Sequence, residues 1–235
     1  MSLLLLAALA LQDPFAGFPE GSWVILERLM KSDGREETRR ERKTVVKDGV
    51  RIERDRGNGF EDDSVARHIH GKAPEDLKAT SSREEDVTVG DRKIRCKVTE
   101  YADEREGVRV QIAVWRGADL KIPYRELQMD GPDIAAMPDV LRIEASVRNA
   151  RGTETQRLKV VSLGEKLKVG ARDVECVVEE VDAEAEQGGR KMSGTMKRWL
   201  SAAVPGHLVK RTLRADIAGK PVEQTEQAAD FEVKK

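Results

Sequence analysis

Two cysteines, three histidines and three tryptophans are the side chains of this chain best suited to nucleophilic, metal-binding or stacking chemistry. Ile94, Cys96 and Val98 alternate along one run, as do Val174, Cys176 and Val178, which places each thiol on the apolar side of a strand. A disulfide would need the two strands side by side, so two free core cysteines are the expectation. His207 is the only histidine after His70, and no spacing ties it to Cys176 as a nucleophile pair. His68 and His70 would share a strand face near Asp62 and Asp63, but the three or four ligands at strict spacing that a metal needs are missing. The sequence lacks H-E-x-x-H, G-x-S-x-G, C-x-x-C and G-x-G-x-x-G, and Gly189 and Gly194 are followed by Thr195-Met196 instead of the Lys-Ser/Thr a phosphate loop requires. The expectation is therefore no catalysis, no metal and no cofactor.

The tryptophans point to binding. Trp115 is out of phase with Val108, Val110, Ile112 and Val114, and Trp199 opposes Met192, Met196 and Leu200. With Pro123 and Pro205 in the loops that follow, Trp115 and Trp199 are the candidates for lining a ligand; a bulge returning each indole inward, or packing under the proline loop, is the alternative.

Something must position these groups in a chain of 235 residues that carries 42 basic and 43 acidic side chains, a net charge of -1, 39% hydrophobic residues and 4% aromatic ones. Balanced, interleaved charge excludes a nucleic-acid binder held by bulk charge. Ser2 to Ala10 is too short to span a bilayer, and Ala8-Leu9-Ala10 before Gln12-Asp13-Pro14 reads as a secretory signal over residues 1–10, cut before Leu11. The expectation is an exported protein, periplasmic or extracellular, without a transmembrane segment.

Alternation of period two marks strands at Thr44 to Glu53, Lys93 to Glu100, Val108 to Trp115, Leu141 to Val147, Gln156 to Val160 and Ala171 to Glu179. Turn signals at Asp33-Gly34, Asp48-Gly49, Gly57-Asn58-Gly59, Arg151-Gly152, Gly188-Gly189 and Ala218-Gly219 join strands as hairpins. Helices are confined to Pro74 to Ala79 and Pro132 to Met137.

Val87 to Glu100 matches Leu167 to Glu180 without a gap, and each stretch is followed by a tryptophan strand and an aliphatic-proline pair, Ile122-Pro123 or Val204-Pro205. The ordered landmarks read as a tandem duplication: a first β unit over 11–131, a linker over 132–139 and a second β unit over 140–235. Lys93, Arg95 and Lys97 of the first unit face Asp173, Glu175 and Glu179 of the second with inverted sign, which fits either docking between units or separately solvated faces.

This V-x-V-G-x-x-x-I-x-C strand, tryptophan strand and V-P-G-x-L-V-K loop, complete at Val204 to Lys210, resembles uncharacterised exported bacterial proteins whose shape is similar to the periplasmic lipoprotein-carrier superfold (LolA/LolB-like). The resemblance implies a mainly β protein of two tandem curved antiparallel sheets, each an incomplete barrel, with few short helices. It also implies an apolar or lipid-like ligand. The alternative partner is a protein of the cell envelope, with the chain acting as a structural or interaction module.

Overall fold

A computed structural model describes residues 15–234 apart from 16, 33, 48, 68–78, 106, 119, 124–138 and 218. Those residues contain thirteen strands: β1 (Trp23–Ser32), β2 (Arg35–Val46), β3 (Gly49–Asp55), β4 (Phe60–Arg67), β5 (Ala79–Val89), β6 (Arg92–Arg105), β7 (Val108–Gly117), β8 (Val140–Asn149), β9 (Gly152–Val169), β10 (Arg172–Gln187), β11 (Arg190–Leu200), β12 (Leu208–Ile217) and β13 (Lys220–Glu232). All pair antiparallel in one sheet of order β4-β3-β2-β1-β13-β12-β11-β10-β9-β8-β7-β6-β5. Each predicted turn falls between consecutive strands, where tight connections and positive-φ glycines such as Gly34, Gly188 and Gly219 reverse the chain.

The expectation of two tandem sheets is corrected to one continuous sheet. The ladder runs on without a break: β9 pairs along its first half with β8 (Arg142↔Lys159 to Asn149↔Gly152) and along its whole length with β10. Strand β8, which opens the expected second unit, is in turn hydrogen-bonded to β7 of the first across the proposed 132–139 linker. Among the described residues there is no helix; 74–78 and 132–137 lie outside them, and Ala79 begins β5. Thr44 to Glu53, read as one strand, is the end of β2, a turn and most of β3.

The sheet is not closed into a barrel, since β4 and β5 remain its edges. It nevertheless has to curl. Twelve strand spacings of a flat sheet would separate β4 from β5 by about 58 Å, whereas the twelve peptide steps from Arg67 to Ala79 reach at most about 43 Å. β13 pairs on one side with β1 and on the other with β12, so the last strand joins the N-terminal meander to the rest.

Three apolar clusters form the core. One joins Val24, Val45, Val174, Cys176, Val178, Trp199 and Phe231, and a second joins Val89, Cys96, Val98, Trp115, Ile122 and Leu141. The third, Ile112, Val114, Ile143, Leu158 and Val181, lies on one face of β7 to β10.

Candidate functional site

The cysteines sit where strand alternation puts them. Cys96 on β6 is fully buried and Cys176 on β10 nearly so, both are free, and β7 to β9 lie between their strands. Each thiol points toward the carbonyl two residues back, Ile94 or Val174, at 3.6 Å. Burial pushes both thiols up, Cys176 to about 11 with help from the carboxylates of Glu165 and Glu175. Neither is a nucleophile near neutral pH.

The tryptophans occupy matching registers. Val98 of β6 pairs with Trp115 of β7, Val178 of β10 pairs with Trp199 of β11, and the ladder bulges directly after each tryptophan. Each indole stays on the face opposite its strand's apolar stripe and is buried there by a second core, Trp115 at 3% exposure with Cys96, Val98 and Leu141, and Trp199 at 9% with Cys176, Val178 and Val204. Arg142 stacks 4.5 Å from the centre of the Trp115 ring; Lys197 and Lys210 flank Trp199, whose indole N–H donates to Glu165 at 2.7 Å. Pro205 is buried and Pro123 half-buried, beside Val204 and Ile122 in the same clusters. The structure thus brings each tryptophan together with its own proline loop and leaves the two pairs in separate clusters.

The inverted charges meet their partners within each hairpin. Arg95 bonds Glu84 at 2.8 Å and Asp86 at 3.1 Å, and Lys93 bonds Asp86 at 2.9 Å. On the second hairpin Asp173 pairs in register with Lys168 and Glu175 with Lys166. The two hairpins carry opposite signs on both of their strands, so each face neutralises itself. Asp62 is exposed, 3.9 Å from Arg51; His68 and His70 lie outside the described residues. Among the described residues no group of three His, Cys, Asp or Glu could hold a metal.

The feature missed by the sequence reading is on β10 to β13 and β1. Cross-strand register aligns Val181, Met196, Leu213, Gln224 and Met30 in one row, and Ala183, Gly194, Ala215 and Val222 in the next. Apart from buried Val181 these positions are half-buried, and the stripe ends at Ile217, 38% exposed. It continues the closed apolar face of Ile143 and Leu158. The opposite face of the same strands is exposed and charged or hydroxylated: Asp182, Thr195, Arg214, Glu223 and Lys31 stand in one row. Cavities there, one of about 610 Å³ and one of about 400 Å³, meet at Asp182 and are edged by Arg142, Arg157, Lys159, Lys197 and Arg214.

Two residues along from the apolar row, on the same face, runs a row of charges: Glu179, Arg198, Arg211, Glu226 and Arg28. Glu179 is fully buried and paired with Arg198, itself 5% exposed. Glu226, 2% exposed, takes Arg211 at 2.6 Å and Arg28 at 2.8 Å. Burial works to raise the Glu226 carboxyl, but Arg211, Arg28 and Lys43 outweigh it and hold the group below its ordinary value. The row that holds the same place beside the first tryptophan pair, Thr99, Val114, Ile143 and Leu158, is uncharged, and through Leu158↔Val181 it runs on into the apolar row. Arg198, Arg211 and Glu226 are what hid the stripe, because each breaks the apolar alternation of its strand. The pairs Met192/Met196 and Leu213/Ala215 were the signal that remained.

The sequence matches no protein-family model and no curated protein. Among solved structures it is similar to a Bacteroides fragilis protein of YmcC-like fold, provisionally assigned as exported, at 9% identity and a TM-score of 0.35 over 95% of this chain and 100% of that one. A Parabacteroides distasonis protein provisionally assigned as a lipoprotein gives 9% identity and 0.35 over 96% and 100%. Among the described residues no helix is long and apolar enough to cross a membrane.

Proposed function

We propose that the protein is an exported, non-catalytic binding protein for an apolar, lipid-like ligand, released from its signal before Leu11, and that the ligand lies along the stripe of Met30, Met196, Leu213, Ala215 and Val222. The half-buried state of this stripe carries the reading. An apolar row that leaves methionine and leucine partly in water forfeits about 25 cal/mol per Å² until something covers it. Trp115 and Trp199 serve the reading as walls of the scaffold, since both rings are already occupied by cations. Native mass spectrometry of protein purified without detergent tests it: an adduct removed by organic extraction is expected. The extracted protein should then enhance the fluorescence of N-phenyl-1-naphthylamine, and Leu213→Asp should abolish the enhancement. Bare polypeptide mass together with no enhancement would overturn the proposal. An interaction module of the cell envelope is favoured instead by the edge strand β5, exposed from Ala79 to Glu84, and would show as a stable protein complex with no lipid adduct.

A further inference from the structure

Two of the three indole N–H groups end on a glutamate of another strand: Trp199 on Glu165 at 2.7 Å and Trp23 on Glu232 at 2.9 Å. The third does not. Trp115 is 3% exposed, yet its N–H is buried without an acceptor, a state that is costly to keep. The register that pairs Cys176 with Glu165 pairs Cys96 with Glu85, so the first hairpin carries the matching carboxylate. Arg83 holds that carboxylate at 3.2 Å and also bonds Glu100, and its guanidinium lies 6.0 Å from the centre of the Trp115 ring. The second hairpin has no such cation: Ser162 stands opposite Val178 where Arg83 stands opposite Val98.

The cavity of about 610 Å³ adjoins the same tryptophan. It is edged by Glu85, by Arg142, which stacks on the ring, and by Val87 and Val160 of the Trp115 cluster. Four consecutive residues of β5, Glu85 to Thr88, border it. Successive side chains of a strand take opposite faces, so a strand lines a cavity in this way through its edge. β5 pairs only with β6, and β9 has lost β8 by Val160, with Val161 passed over by the ladder to β10. Two open strand edges and an unpaired buried donor thus meet at one opening.

We infer that this cleft takes an extended peptide of a partner protein, which pairs main chain to main chain with β5 and delivers an acidic side chain to the Trp115 N–H beside Arg142. An extended backbone supplies the alternating donors and acceptors that an open strand edge lacks. Glutamate is the group on which both other indoles of the chain close. A lipid tail would leave the edge unpaired. The site does not depend on the apolar-ligand reading, whose stripe is on the opposite face of the strands.

Indole proton NMR of the full-length mature protein, assigned with Trp23→Phe, Trp115→Phe and Trp199→Phe, tests the inference. The probes are the peptide Ac-Lys-Thr-Val-Glu-Val-Thr-Lys-NH2 and its counterpart with alanine in place of glutamate. Without peptide, the Trp115 proton should resonate upfield of those of Trp23 and Trp199, and the glutamate peptide should move it downfield. That peptide should bind about tenfold more tightly than the alanine one, the scale of a single charge-assisted bond. Trp115→Phe should abolish the ratio and leave the affinity of the alanine peptide unchanged, and N-methylation of the three central residues should abolish binding. Equal affinity of the two peptides, binding that survives N-methylation, or no binding of either would overturn the proposal. So would a Trp115 proton already downfield without peptide and moved upfield by Glu85→Gln, since Glu85 would then close the bond from within.

Discussion

Cys96 and Cys176 were legible because, over the three residues that matter, strand alternation is unbroken: Ile94, Cys96 and Val98 point one way, and Val174, Cys176 and Val178 do the same. The tryptophans do leave the stripe of Val114 or Met196, and what no composition signal announced is that the face they turn to carries a core of its own around Cys96 and Val98 or Cys176 and Val178. With the thiolate disfavoured at both sites, Ellman's reagent at pH 8 should leave the native protein unlabelled and report two thiols after unfolding without reductant; none would show a disulfide between them. Cys176→Ser should cost about 1–3 kcal/mol, since a hydroxyl there replaces a buried apolar sulfur. His207 offers a pH test. It holds a left-handed backbone, φ 59°, its ring lies 5.1 Å from that of Phe18, and Nδ1 is 3.2 Å from the Ser201 carbonyl. Burial lowers its pKa from 6.5, with the Ser201 carbonyl opposing. Folding therefore favours the neutral ring, and that contribution is complete above pH 6.5 and lost as pH falls below it. Wild-type Tm should decline from pH 7 to 5, and His207→Asn, which tolerates the same backbone, should flatten that decline. An unchanged slope would remove His207 from the explanation.

At the scale of the strand, hydrophobic alternation found the elements with one buried face and passed over those without. β2 reads Arg35-Glu36-Glu37-Thr38-Arg39-Arg40 at its start, exposed throughout, and is a strand because β1 and β3 lie on either side of it. β5 is likewise exposed from Ala79 to Glu84 and is fixed by its ladder to β6. In both cases the neighbour, not the side-chain pattern, decides. The ionic row tests what a buried charge pair does within this ladder. Removing Arg198 alone by Arg198→Val leaves Glu179 charged in a fully buried position and should cost about 3–5 kcal/mol by urea unfolding. The double variant Glu179→Thr with Arg198→Val installs the residues that stand beside the first tryptophan pair, Thr99 and Val114, and should recover most of the loss. If the double variant is as unstable as the single, the two registers are not interchangeable and the uncharged row is no guide to the charged one.

At the scale of the molecule the repeat landmarks were visible in sequence, but the pairing that makes one sheet was not, because it joins residues from opposite ends of the chain. Trp23 pairs with Glu232 and its indole N–H donates to that carboxylate at 2.9 Å; the Lys234 amide donates to the Ser22 hydroxyl at 3.1 Å. No local pattern encodes a ladder between positions more than two hundred residues apart, and its loop-closure cost is met only when the intervening strands are already in place. The ladder also repeats a detail: β13 bulges against β1 between Ile25 and Leu26, as β9 bulges against β10 between Val178 and Glu179. The two ends of the chain therefore make a strand pair of the kind made inside it, which has a direct consequence for connectivity. Joining residue 234 to residue 15 by a Gly/Ser linker, which retains buried Phe15 and half-buried Phe18, and opening the chain at the exposed Gly188-Gly189 turn between β10 and β11 keeps every ladder and cuts only a hairpin. That permutant should unfold in one cooperative transition by calorimetry, with Tm lowered by only a few degrees. Deleting Lys220 to Lys235 from the natural chain, by contrast, strips β1 and β12 of a partner at once and exposes Ala228 and Phe231's cluster, so cooperative unfolding should be lost. Two separate transitions in the permutant would mean that the N-terminal meander and the remaining strands fold as independent bodies, and that β13 is a latch between them instead of the middle of one sheet.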